Sequence, residues 1–273
     1  MGVKAHFHVP QLVCLGTTMA DSPNAPEYGP VIGIAVPQAN TTVEPEIQAL
    51  LGTDHTLLTA RMTSASPDSR QRLVDYVDTL GHSLAQFDVA PLQVAGFACT
   101  GSSYLMGPDD ELVRLHALSS ARGYPVISAA QSILQALQLL GARRIALLSP
   151  YPSWLSDAGL AYWRACGLII THGVGLPDEL LDTRNIYKLR TAAVLQVFDT
   201  LAVSGCDAVL MSGTGMPTLG VMAQRQLPVP VLSSNLCLAW AMRCVVEPSA
   251  PPAAILAEML SRVRRPNLRG PSL

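Results

Sequence analysis

Short, continuously apolar runs alternate with helix-patterned stretches along most of the chain, and the runs repeat. Val31 and Ile145 stand 114 positions apart, and each opens a strand-like run, VIGIAVP and IALLSPY. Val94 and Ala208 stand at the same spacing and open segments that continue as FACTGSS and LMSGTGM. A further echo pairs PVIS at 125–128 with PVLS at 230–233. One spacing shared by two separate strands points to two homologous halves. Apolar runs of four to eight residues separated by helices imply parallel strands joined by crossover helices. Strands buried on both faces need continuous apolar sequence, as these have.

The pattern predicts strands at 31–36, 56–63, 94–98, 124–128, 144–148, 208–211 and 230–232. Helices are predicted over 70–87, 111–122, 129–140, 153–166 and 188–203, with a last one from about Asn235. The expected architecture is α/β: two pseudo-symmetric halves, each a parallel sheet flanked by helices. The first half covers 29–140 together with a C-terminal tail, 246–273, and the second covers 141–245. Residues 21–30 are rich in Pro, Asn, Ser and Gly, so 1–28 are expected to be a disordered extension. The mildly apolar 11–20 stretch has one upstream Lys and an interrupting Pro10, a poor match to a secretory leader.

Composition narrows the function. The net charge is −2, and no basic stripe runs along the chain, so nucleic acid is not an expected partner. Apolar runs are too short for a bilayer helix. The six cysteines form no CxxC pair and no Cys/His cluster with zinc spacing; they read as reduced thiols of a cytoplasmic protein, with no metal centre. The oligomeric state is left open, a homo-oligomer included.

Open parallel sheets place ligands at the carboxyl ends of their strands, so the post-strand segments are the candidates for chemistry. The first, FACTGSSY at 97–104, offers Cys99, Thr100, Gly101 and Ser102. Amides in such a turn can face an anion, and a thiol near a helix start is expected to have a lowered pKa. The alternative is a buried cysteine before a helix cap. The second, 211–218, is the repeat-mate of the first and offers Ser212, Gly213, Thr214 and Gly215. It has neither the GxxxxGK[ST] nor the GxGxxG pattern of a nucleotide loop. The third, PQANTTVEPE from Pro37, offers Asn40, which either caps a helix or binds a carboxylate. The fourth, SPY at 149–151, offers Tyr151.

PQANTTVEPE, ACTGSSY, LLSPY and LMSGTGMPTL, in this order, resemble the maleate isomerase and arylmalonate decarboxylase branch of the aspartate/glutamate racemase superfamily. The resemblance covers about 30–245. It implies two pseudo-symmetric halves with the active site in the cleft between them, a small carboxylic-acid substrate, and catalysis by cysteine thiols without metal or organic cofactor. It assigns Cys99 to the first-half cysteine. Asn40 matches a carboxylate-binding asparagine, Tyr151 a tyrosine near the site, and Asn185 another site asparagine. Thr100 matches a threonine of the decarboxylase carboxylate-binding hole. The chain departs from the racemases and isomerases at Gly213, where they carry a second cysteine. Decarboxylases also use one cysteine, but in the second half. A single thiol in a hydroxyl-rich cleft suits decarboxylation of a substituted malonate-type diacid, because loss of carbon dioxide leaves a carbanion that needs one proton donor. The alternatives are a maleate-type cis-trans isomerase or racemase with Cys99 as nucleophile or base, and an inactive small-acid binding protein. Asn40, Thr100, Tyr151 and the backbone amides of 212–215 are expected to converge on one carboxylate.

Overall fold

The computed structural model describes residues 27, 29–175 and 182–264. The extension expected at 1–28 lies outside these residues apart from Glu27, and so does the end of the tail, 265–273. Two all-parallel four-stranded sheets form the frame. The first contains β1 (Val31–Pro37), β2 (Thr56–Met62), β3 (Leu92–Phe97) and β4 (Val126–Ser128), in the order β2-β1-β3-β4. The second contains β5 (Arg144–Ser149), β6 (Ile169–Gly175), β7 (Ala208–Met211) and β8 (Val231–Ser233), in the order β6-β5-β7-β8. The two orders are the same, so the sequence repeat is a structural repeat. The central strand β1 is buried along its whole length, as the unbroken apolar run requires.

β6 is an edge strand that escaped the sequence pattern. Its residues IITHGVG are exposed or half-exposed, with Thr171, His172 and Gly173 in its middle, so no buried apolar run marks it. The predicted helix over 70–87 is broken into α2 (Ser69–Asp78), α3 (Leu80–Leu84) and a 3-10 turn (Ala85–Phe87). The other helices flanking the first sheet are α1 (Val43–Leu51), α4 (Thr100–Met106), α5 (Pro108–Arg122) and α6 (Ala129–Leu139). Those that follow β5 are α7 (Ser153–Ala165), α8 (Thr191–Phe198), α9 (Leu219–Gln224), α10 (Ser234–Val246) and α11 (Pro252–Val263).

The repeated serines have one job in both halves. Ser128 Oγ accepts the Gln131 amide at 3.1 Å and caps α6; Ser233 Oγ accepts the Leu236 amide at 3.2 Å and caps α10. Capping hydroxyls satisfy amides that the helix itself leaves open. Helix α10 is buried from Ser234 to Cys244 because it packs on α6, α1 and β3 as well as on β8. Among the described residues, no helix is long and apolar enough to cross a membrane.

Candidate active site

β3 ends at Phe97, and two residues later Cys99 occupies the N-cap position of α4. Its side chain does not cap the helix. Instead Cys99 Sγ lies 3.2 Å from Ser102 Oγ, one turn along. Ser102 donates its own proton to the Leu73 carbonyl of α2 at 2.7 Å. A hydroxyl has one proton to give, so in the sulfur contact Ser102 Oγ accepts and Cys99 S–H donates. The local network therefore holds Cys99 as a neutral thiol.

Electrostatics agree. Cys99 is 5 % exposed, and burial pushes its thiol above the ordinary range; the Ser102 hydroxyl, were it to turn its proton from Leu73 to sulfur, and the Gly101 and Ser102 amides offset part of this for the thiolate. The expected lowering by the helix start is thus overturned: desolvation of a buried thiolate outweighs what two amides return. The same amides remain in place to receive negative charge if it forms on sulfur.

Thr100 Oγ1 and the Tyr151 hydroxyl are 2.7 Å apart, joining the strand-end loops of β3 and β5. Tyr151 is held by the Tyr104 ring, edge-on at 5.9 Å between centroids, and Tyr104 in turn packs on Tyr162 and Trp163. A thiolate at Cys99, if formed, would raise the pKa of Tyr76, Tyr151 and Tyr187. Burial is the larger cause in each, and it pushes Tyr76 up to about 12. All three remain proton donors at neutral pH. Tyr76 and Tyr187 escaped the sequence reading. Tyr76 reads as one more apolar residue of the α2 face. Tyr187 stands on a 3-10 turn, Thr183–Lys188, whose position depends on the Arg72–Asp182 ion pair at 2.6 Å.

Asn40 has two roles open to it, and the structure uses one. Its Oδ1 accepts the Thr42 and Val43 amides at 2.9 and 3.2 Å and caps α1. Its Nδ2 is buried without a partner, a donor free for a ligand. Pro37 closes the same turn, its carbonyl accepting the Asn40 amide at 2.9 Å. Thr42 Oγ1 then reaches across to the Gly215 carbonyl at 2.9 Å.

The second strand-end loop is built differently from expectation. The Ser212 amide donates to the Leu148 carbonyl at 2.8 Å, and the Ser212 hydroxyl pairs with Tyr104 in the interior. The Gly213 amide donates to Ser234 Oγ at 2.9 Å. Thr214 Oγ1 donates to the Ala98 carbonyl at 2.9 Å, beside Cys99. The two hydroxyls bridge the halves, and the Ser212 and Gly213 amides are spent on Leu148 and Ser234 within the second half, so those amides do not converge on a carboxylate. Gly213 has φ +147°, and a Cβ there would stand 2.7 Å from Pro150 Cγ and 3.6 Å from the Tyr151 hydroxyl. Gly215 lies under the Tyr187 ring, 2.7 Å from where its Cβ would be. Asn185, half-buried, accepts Lys188 Nζ on its Oδ1 at 2.9 Å.

The fold and the loops together define a class: paired parallel-sheet halves with one buried thiol where their strand ends meet. Comparison with known proteins gives the family. The arylmalonate decarboxylase family model matches residues 32–255, and the chain belongs to that family, whose members here are isomerases and decarboxylases. A maleate isomerase of Geobacillus stearothermophilus is 30% identical over 222 residues, covering 74% of this chain and 86% of that one. An arylmalonate decarboxylase of Bordetella bronchiseptica is 26% identical over 215 residues, covering 77% and 88%. A Nocardia farcinica maleate cis-trans isomerase variant, solved with a covalently bound succinylcysteine intermediate, superposes with a TM-score of 0.73 at 26% identity, covering 84% of this chain and 98% of that one.

Proposed function

We propose that this enzyme decarboxylates a substituted malonate-type diacid, with Cys99 as the single proton donor. The observation that carries the reading is the geometry at Ser102: its hydroxyl lies 2.7 Å from the Leu73 carbonyl and 3.2 Å from Cys99 Sγ, and giving its one proton to Leu73 leaves the sulfur as donor. A nucleophilic mechanism needs the thiolate at the outset; an acid needs the thiol. Cleavage of the carbon–carboxylate bond releases carbon dioxide and leaves its electron pair as an enediolate. The Thr100–Tyr151 hydroxyl pair and the free Asn40 Nδ2 are suited to stabilise that charge. The Cys99 proton then passes to carbon, and the Gly101 and Ser102 amides receive the thiolate until solvent reprotonates it. Gly213, in place of a second thiol, fits delivery to one face only.

A second reading, cis-trans isomerisation of a maleate-type diacid, is favoured by the same Asn40 Nδ2, a donor available to a second carboxylate. It requires Cys99 to ionise and Ser102 to turn its proton toward sulfur. One assay separates the two. The protein is incubated in parallel with a monoaryl, monoalkyl malonate and with maleate, reading carbon dioxide release and fumarate formation. Carbon dioxide with a product in one-handed excess supports the first reading. Fumarate without carbon dioxide replaces it with the second.

A further inference from the structure

Glu46 lies on α1, one turn after Thr42, and is buried. Its carboxylate takes four hydrogen bonds, all from the second half of the chain. Oε1 accepts the Thr218 amide at 2.5 Å and the Leu219 amide at 2.9 Å. Oε2 accepts Thr218 Oγ1 and Asn235 Nδ2, each at 2.8 Å. Every contact is a donor pointing at oxygen, an arrangement that suits a carboxylate and offsets part of the burial that pushes the Glu46 pKa up. Among the described residues, no ion pair involves Glu46.

The group is chained to the reacting thiol. Asn235 Nδ2 also donates to the Thr214 carbonyl at 3.1 Å, and Thr214 Oγ1 donates to the carbonyl of Ala98, the neighbour of Cys99. On the same face of α1, Thr42 holds Gly215, which supports the Tyr187 ring. One helix of the first half therefore grips the 213–219 loop at two points. We propose that Glu46 is a positioning residue. Through Asn235 and Thr214, its carboxylate latches the second-half loop over Cys99, keeping the thiol enclosed and the Tyr151 and Tyr187 phenols in place. This rests on Cys99 being the reacting group.

The test pairs turnover with alkylation of Cys99 by iodoacetamide, read by peptide mass mapping without substrate. Glu46→Gln replaces one acceptor by a donating amide, which then faces either the two backbone amides or Asn235. Turnover should fall on the order of ten- to a hundredfold, the effect of disrupting hydrogen bonds to a charged group. The Cys99 alkylation rate should rise by about tenfold as the loop lifts. Cys237, fully buried in α10, should stay unmodified and reports that the fold is intact. Glu46→Asp, which keeps the charge one methylene shorter, should retain more turnover than Glu46→Gln. A folded Glu46→Gln protein with native turnover and native Cys99 protection overturns the proposal. Cys237 reacting in step with Cys99 also overturns it, because the role is then general stability. If Glu46→Gln does not fold, Thr218→Val must show the same opposed changes in smaller size, and their absence refutes the latch. Alkylation needs no substrate, so failure of the decarboxylase reading leaves this arm decisive.

Discussion

The loops after β3 and β7 occupy the same place in the two halves and commit their polar atoms differently. The first begins with a thiol at a helix start, where the Gly101 and Ser102 amides face the sulfur. The second begins with Ser212 and Gly213, whose amides go to Leu148 and Ser234 and whose neighbouring hydroxyls bridge the halves. A duplicated fold supplies two strand-end sites. In the proposed mechanism the first carries the chemistry and the second holds it in shape, a division that would match where each polar atom is committed.

That contrast is sharpest at its thiols. Cys99→Ala should remove turnover by roughly 10²–10⁴-fold or more, the size of a lost general acid, with an unchanged circular dichroism spectrum. Cys206→Ala, in the second half, should stay near the native rate, since Cys206 Sγ only donates to the Val203 carbonyl. Equal losses in the two variants would end the division of labour. Tyr151→Phe leaves the ring packing and deletes the hydroxyl shared with Thr100. It should lower kcat by roughly 10²-fold if that hydroxyl meets developing charge, measured against a KM that moves little.

The second loop can be asked to become the first. Gly213→Cys brings a Cβ against Pro150 and places a side chain at φ +147°. The expected cost is about 1–3 kcal/mol of stability, read by urea denaturation. With Pro150→Ala added to make room, the double variant should begin to exchange the product's α-proton in deuterated water, as a second donor on the other face requires. No exchange from a folded double variant with free thiols would mean that the two loops do not flank one carbon. The smallest effect is in pH. The Cys99 pKa is raised in the folded protein, so the donating form persists through neutral pH and is lost only as pH climbs past the raised value. The alkaline limb of kcat should lie above the usual thiol value of about 8.5. A limb at or below neutral would show that the amides win over burial.

Much of the frame was legible because it is written in local pattern. Apolar runs marked seven of the eight strands, and the 114-residue spacing marked the pairing of β1 with β5 and of β3 with β7. β6 was missed because an exposed edge strand has no hydrophobic run to display. The site divided along the same line. Cys99, Thr100, Tyr151 and Asn40 stand directly after strands, where the sequence directs attention. Tyr76 sits within a helix face, indistinguishable from core, and Glu46 looks like an ordinary acidic residue of a first turn.

The sequence by itself determined two α/β halves, their family and which thiol stands at a strand end. Only the tertiary structure decided what that thiol is. Whether Cys99 holds its proton depends on burial and on a Leu73 carbonyl 29 residues from Ser102. What Glu46 does depends on donors 172 to 189 residues away. Protonation and hydrogen-bond direction are set by whatever surrounds an atom in space, and those neighbours come from parts of the chain that no local pattern connects.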